Sequence, residues 1–275
     1  MHYLTDGSNI EVKELKVGSN VSIDPTARIH CDRLEIGDRS NIGPYALIEG
    51  RNITIGKEAW IGEYAQIGGG SCFSPHSKLR AGDFFHMGRF SIVNTARSVE
   101  IGDEVGLGTH TCIFTHGAYT SEIDGFPVRF ASVEIGDRVW LPYAIVNPGV
   151  QIGSDVVVAG MSLVNNDLPS GCLAGGVPAR VIREKAYPKP MSDVNAERFL
   201  NEILDNVLSF DEFLGTKVER VVKGYCCWLN GTEFDVWNRT ISGHASKLTE
   251  SFKNELRRHG VRFRFYAKEG TYVSW

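Results

Sequence analysis

Aliphatic side chains recur every six residues over more than half of this chain, and that period constrains the fold more than any other feature. Ile36, Ile42 and Ile48 form one run, and Ile55, Ile61 and Ile67 form the next after a single step of seven. The register continues at Leu79, at Ile101, Leu107 and Ile113, at Ile135 and Leu141, and at Val146, Ile152, Val158 and Val164. Two positions before many of these stands a small or β-branched residue, as at Ser40, Ala46, Ala59, Ala65, Val105, Val139, Val150 and Val156. Each unit therefore turns two side chains inward at a spacing of two, which is the spacing of a strand. A turn every six residues suits neither a helix nor a hairpin meander. Three such strands close one triangular coil, and stacked coils make a parallel β-helix, with room for roughly seven coils of about eighteen residues. Glycine, at 30 of 275 residues, is spread through the same register at the turns.

The repeats are scaffold, so chemistry is expected where the register breaks. The clearest break is a polar loop over residues 114–134, which opens with His116 and carries Glu122 and Asp124 close behind. A second irregular stretch runs from Gly68 to Asp83 and carries His76, with His86 just beyond. After Val164, Pro169 and Pro178 end strand pairing, and Arg180, Arg183 and Lys185 gather positive charge.

The segment IGDRVWLPYAIVNPGVQIGSDVVVAGMSLVNNDLPSGCLAGGVPARVIREK, and its GVPARVI ending above all, resembles the closing coils of the hexapeptide-repeat acyltransferases. The subgroup it is most similar to contains galactoside, maltose and xenobiotic acetyltransferases. The resemblance implies a left-handed helix, an exception to the right-handed crossover rule. It also implies a homotrimer with acetyl-CoA, or another acyl-CoA, in a groove between subunits. His116 then matches the family's general base at the start of the protruding loop, and Trp140, 24 residues on, matches a tryptophan in the next coil. A neutral imidazole, with an ordinary pKa of about 6.5, can take a proton from a hydroxyl or amine attacking a thioester. By the same resemblance Trp140 lines the pantetheine channel, Ala159 and Gly160 offer backbone contacts to it, and Arg180 and Arg183 face the CoA phosphates.

The chain departs from the sugar-acetyltransferase pattern at the acceptor. Where the family carries an acceptor-binding asparagine, this chain reads FFHMGRF, with Met87 at the matching position. His86 and Arg89 are the candidates to replace it, which suits a polar or anionic acceptor such as a nucleotide-linked amino sugar. Two readings from other classes stay open. One is a zinc enzyme similar to γ-class carbonic anhydrases, with His76, His110 and His116 as ligands; the other is a catalytically silent binding protein. The acyltransferase reading expects no metal.

Past Met191 the six-residue period stops. Phe199, Leu200, Ile203, Leu204, Val207 and Leu208 predict a helix capped at Ser192 or Asp193, and Asn230-Gly231 predicts a hairpin between two apolar runs. A second helix is expected from about Ser246 to His259, followed by a strand over VRFRFYA. The fold class is thus mainly β: a β-helix with a small C-terminal α+β domain. The expected divisions are a lead-in over residues 1–20, the β-helix over 21–190 and the second domain over 191–275. The last 32 residues are rich in Lys and Arg, which reads as a solvated face or as a guide for an acidic acceptor. Acidic residues exceed basic ones by 33 − 29 = 4 overall, so no global field favours nucleic acid. The apolar stretch around Val156 to Val164 is too short for a membrane span, and residues 1–8 show no secretory signal. Six cysteines without a CxxC pair then predict reduced thiols and a cytoplasmic protein.

Overall fold

The structure is a computed structural model that describes residues 9–275, so the first eight residues of the expected lead-in lie outside the described residues. The chain divides into two compact units between Pro188 and Lys189. The first is a left-handed parallel β-helix whose strands lie on three faces. Its first face stacks the second halves of Arg28–Ile36 and Leu47–Ile55 with Lys78–Ala81, Val99–Ile101, Val133–Ile135 and Gln151–Ile152. The second stacks Ser22–Ile23, Asn41–Ile42, Trp60–Ile61, His86–Met87, Gly106–Leu107, Trp140–Leu141 and Val157–Val158. The third stacks the first half of Leu47–Ile55 with Gln66–Gly68, Ile92–Asn94, Cys112–Ile113, Ala144–Val146 and Ser162–Val164.

The six-residue register becomes ladders of fully buried side chains. Ile42, Ile61, Met87, Leu107, Leu141 and Val158 are each 0% exposed down the second face, and the expected small partners Ser40, Ala59 and Val105 are buried above them. The corners turn through left-handed residues, which costs a non-glycine residue roughly 1–2 kcal/mol each. Their side chains project outward and stack from coil to coil. Between the second and third faces Tyr45, Tyr64, Phe90 and His110 form a ladder with ring centroids 4.9, 5.2 and 5.1 Å apart. Between the first and second faces Arg39 pairs with Glu58 and Arg138 with Asp155. The irregular stretch after Gly68 is shorter than expected, because Lys78–Ala81 rejoins the first face and buries Leu79.

The second unit packs the helices Asp193–Leu208 and Lys247–Arg258 with a four-stranded antiparallel sheet. Ser192 and Ser246 cap the helices through their hydroxyls, Ser246 in a capping box with Thr249. Asn230 and Gly231 turn the expected hairpin, both at positive φ. One expectation is corrected. The strand in VRFRFYA starts only at Phe265 and pairs with Thr271–Ser274, while Phe263 is buried in the core without a ladder partner. Part of the basic surface is neutralised within this unit, by Lys247 with Glu212, Lys253 with Glu250 and Arg258 with Glu255. No helix among the described residues is long and apolar enough to cross a membrane.

Candidate active site

His116 leaves the coil at the corner between the third and first faces, just after Cys112–Ile113. There the excursion forms a small flap: His116–Gly117 pairs antiparallel with Arg129–Phe130, and the imidazole stacks on Phe130 with centroids 5.6 Å apart. Glu122 and Asp124 sit in an exposed 3-10 turn at the flap's tip and make no bond to the imidazole.

The imidazole is held by a residue the sequence did not flag. His116 Nδ1 lies 2.8 Å from Oδ1 of Asn94, which is only 3% exposed. The Asn94 amide orientation follows from its other partners, because Nδ2 donates to the carbonyls of Gly68 and Gly70, each at 3.1 Å. Oδ1 is therefore an acceptor, and it also accepts the Thr115 hydroxyl at 2.8 Å. An acceptor at 2.8 Å requires Nδ1 to carry a proton, so the neutral tautomer keeps its lone pair on Nε2. Gly70 covers the edge of the ring: a Cβ there would stand 3.3 Å from Nε2, so the missing side chain keeps that nitrogen approachable. Thr95 and Thr115, both 0% exposed, complete a buried polar corner in an otherwise aliphatic core.

The residues expected to receive CoA gather elsewhere, on the second face and its closing hairpin. Trp140 lies flat over the coil before it, with ring carbons 2.6 and 2.8 Å from where a Gly106 Cβ would be, and stays 43% exposed. It pairs in register with Val157, Val157 with Leu173, and Leu173 with Arg183. Arg180, opposite Gly175 in the same hairpin, and Arg183 have no carboxylate partner among the described residues. Gly160 has open backbone groups. Ala159 has less to offer, since its N–H donates to Ala174 and its carbonyl accepts from Ser162.

His86 and Arg89 do not join His116 within one chain. His86 lies on the second face between Trp60 and Gly106, and Arg89 at the next corner is paired with Glu63. The three histidines of the zinc reading are likewise dispersed. His110 stands in the ring ladder, His116 under the flap and His76 in the loop over residues 69–77, and no group of three or more potential ligands is assembled among the described residues.

Comparison with known proteins supplies a relationship. A galactoside O-acetyltransferase of Escherichia coli is 32% identical over 120 residues, which are 41% of this chain and 57% of that protein. The chain is a relative of the hexapeptide-repeat acetyltransferases. A putative lipopolysaccharide biosynthesis O-acetyl transferase of the same organism is 28% identical over 116 residues, 38% of this chain and 57% of that one. Among solved structures, a hexapeptide-repeat acetyltransferase of Vibrio cholerae complexed with acetyl-CoA is 26% identical, with a TM-score of 0.35, over 54% of this chain and 69% of the other. No family model matches the chain. The chain spans about half the length of the curated relatives it matches, 57% of the two acetyltransferases above.

Proposed function

We propose that this protein transfers an acyl group, acetyl in the first instance, from CoA to a hydroxyl or amine of a sugar-like acceptor, with His116 as the general base. The observation that carries the reading is the Asn94 contact, which in the neutral imidazole places the proton on Nδ1 and the lone pair on Nε2, beside the open edge at Gly70. Nε2 takes the proton of the attacking hydroxyl or amine, the new bond forms to the acyl carbon, and the CoA sulfur leaves and receives that proton. Relatives named for O-acetyl transfer support the reaction class and a carbohydrate acceptor. CoA fits the second face, where Trp140 offers a half-exposed ring, Gly160 open backbone groups, and Arg180 and Arg183 uncommitted charge for its phosphates. A nucleotide-linked amino sugar is the favoured acceptor, and the cytoplasm, where CoA and such sugars are made, the favoured compartment.

The active form is a homotrimer in which two copies complete each site. His116 stands at one corner of a protomer while the CoA residues stand on the second face, so one chain does not unite them. The third face supplies a surface for association. Its outward column runs Leu47, Gln66, Ile92, Cys112, Ile145 and Leu163, flanked by the aromatic ladder, whereas the first face shows Thr54, Arg80, Glu100, Glu134 and Gln151. Apolar columns of this length on one face mark an interface. His86 of one copy would then approach the acceptor held at the next copy's His116.

Light scattering and a thiol-release assay with acetyl-CoA and a panel of sugars and nucleotide-linked sugars test the proposal together. A trimer that releases CoA thiol only with an acceptor present is the expected result. A monomer that turns over, or a trimer with no CoA binding, contradicts it.

A further inference from the structure

Gly69 and Gly70 make a floor without side chains beside the candidate base. Gly69 has a φ of +89°, in the left-handed region that favours glycine, and Gly70 is exposed. A Cβ at Gly69 would stand 3.4 Å from Nε2 of Gln66 and 3.6 Å from Nδ2 of Asn94, and one at Gly70 would stand 3.3 Å from Nε2 of His116. The Gln66 amide, the Asn94 amide and the imidazole therefore border the same two residues. The two amides differ in what they are committed to. Asn94 donates to the carbonyls of Gly68 and Gly70, and its oxygen is shared by Thr115 and His116. Gln66 is half-buried, yet its amide has no hydrogen-bond partner among the described residues, and its polar atoms stay open to solvent. Its neighbours in the outward column of the third face are Leu47 and Ile92. An unpaired amide in such a column costs free energy once the face is covered, and nothing in the coil requires one there.

We infer that Gln66 is a specificity-determining residue, whose amide hydrogen-bonds a second hydroxyl of the acceptor while the attacking group faces Nε2 of His116. The inference rests on His116 being the base and narrows the acceptor to a polyol lying on the glycine floor. A primary amide both donates and accepts, as a neutral hydroxyl does, whereas a phosphate offers only acceptors and an ammonium only donors. In a nucleotide-linked sugar it is then the sugar ring that occupies the floor, with the phosphates outside it. Gln66 moves no proton and touches no acyl carbon. It orients the ring, so its effect falls on the acceptor alone.

The test is thiol release from acetyl-CoA by the full chain with methyl hexosides, amino sugars and nucleotide-linked sugars, and then with monodeoxy forms of the acceptor that turns over fastest. Gln66→Met keeps the side chain's length and removes the amide. Its acceptor KM should rise roughly tenfold, while the acetyl-CoA KM and the pH dependence of kcat stay those of the parent. One monodeoxy acceptor should lose about the same factor with the parent and lose nothing further with Gln66→Met, because the variant has already given up that contact. An unchanged acceptor KM, or losses that multiply at every deoxy position, would overturn the inference. A change of oligomeric state in Gln66→Met, read by light scattering, would also overturn it by making the amide an interface contact. Gln66→Ala, which cannot crowd the column, repeats the test if circular dichroism shows that Gln66→Met misfolds. A parent that turns over no acceptor would instead strike at the acyltransferase reading.

Discussion

Nδ1 of His116 and Oδ1 of Asn94 are 2.8 Å apart, and the amide that makes this contact is pinned on its other side by the carbonyls of Gly68 and Gly70. The imidazole's tautomer is therefore set by an uncharged group one coil away. Asn94→Ala removes the acceptor and both loop anchors at once, and kcat should fall about 10–100-fold with acetyl-CoA affinity nearly unchanged. Asn94→Asp is the more informative variant. A carboxylate there favours the charged imidazole, so the acidic limb of the pH–rate profile should move to higher pH. An unmoved limb would show that the Asn94 contact does not govern the titrating group.

Gly70 offers a steric test of where the acceptor approaches. Its φ is not in the left-handed region, so alanine brings no backbone strain, only a methyl group 3.3 Å from Nε2 of His116. Gly70→Ala should raise the acceptor KM and lower kcat/KM roughly tenfold or more, while thermal stability stays within about 0.5 kcal/mol of the parent. Steady-state kinetics with acetyl-CoA and acceptor varied separately reads this. A change confined to the acetyl-CoA KM would place the acceptor elsewhere.

On the second face the matching test is Gly106→Ala. A methyl group would meet ring carbons of Trp140 at 2.6 and 2.8 Å and lift the indole off its shelf. Several-fold weaker CoA binding by titration is expected, with His116 chemistry intact at saturating acetyl-CoA. Unchanged affinity would remove Trp140 from the CoA site.

The fold was legible in the sequence because the inward positions admit little besides aliphatic and small side chains, and Ile61, Leu107 and Val158 accordingly fall at 0% exposure. His116 was legible because it opens the long loop. Asn94 was not. Its partners lie 22 and 26 residues away in neighbouring coils of unequal length, and no fixed period links them. The strand over Val261 was misread for a different reason. Alternating apolar residues report burial on one side, and Phe263 is buried, but a strand also needs a ladder partner, which begins only at Phe265.

Two buried thiols predict how stability responds to alkali. Burial pushes Cys31 of the β-helix and Cys227 of the second unit from 9.0 up to about 12. Above pH 9 the unfolded chain releases these protons while the folded chain keeps them, so stability present below pH 9 is lost as pH rises towards 12. Each thiol contributes a slope of up to about 1.4 kcal/mol per pH unit in that window. Urea midpoints at pH 8 and pH 10.5 should show the loss, and Cys31→Ala should flatten the part due to the first unit. A midpoint that rises over this range would contradict the account.

The most direct test of the central claim is the turnover of His116→Ala at saturating acetyl-CoA, measured by thiol release on protein shown by light scattering to keep the parent's oligomeric state. A fall in kcat of roughly 10²–10⁴-fold with the CoA dissociation constant unchanged, and loss of the acidic limb of the pH profile with a hydroxyl acceptor, is what general-base catalysis by Nε2 predicts. Near-parental turnover in the folded variant would contradict it.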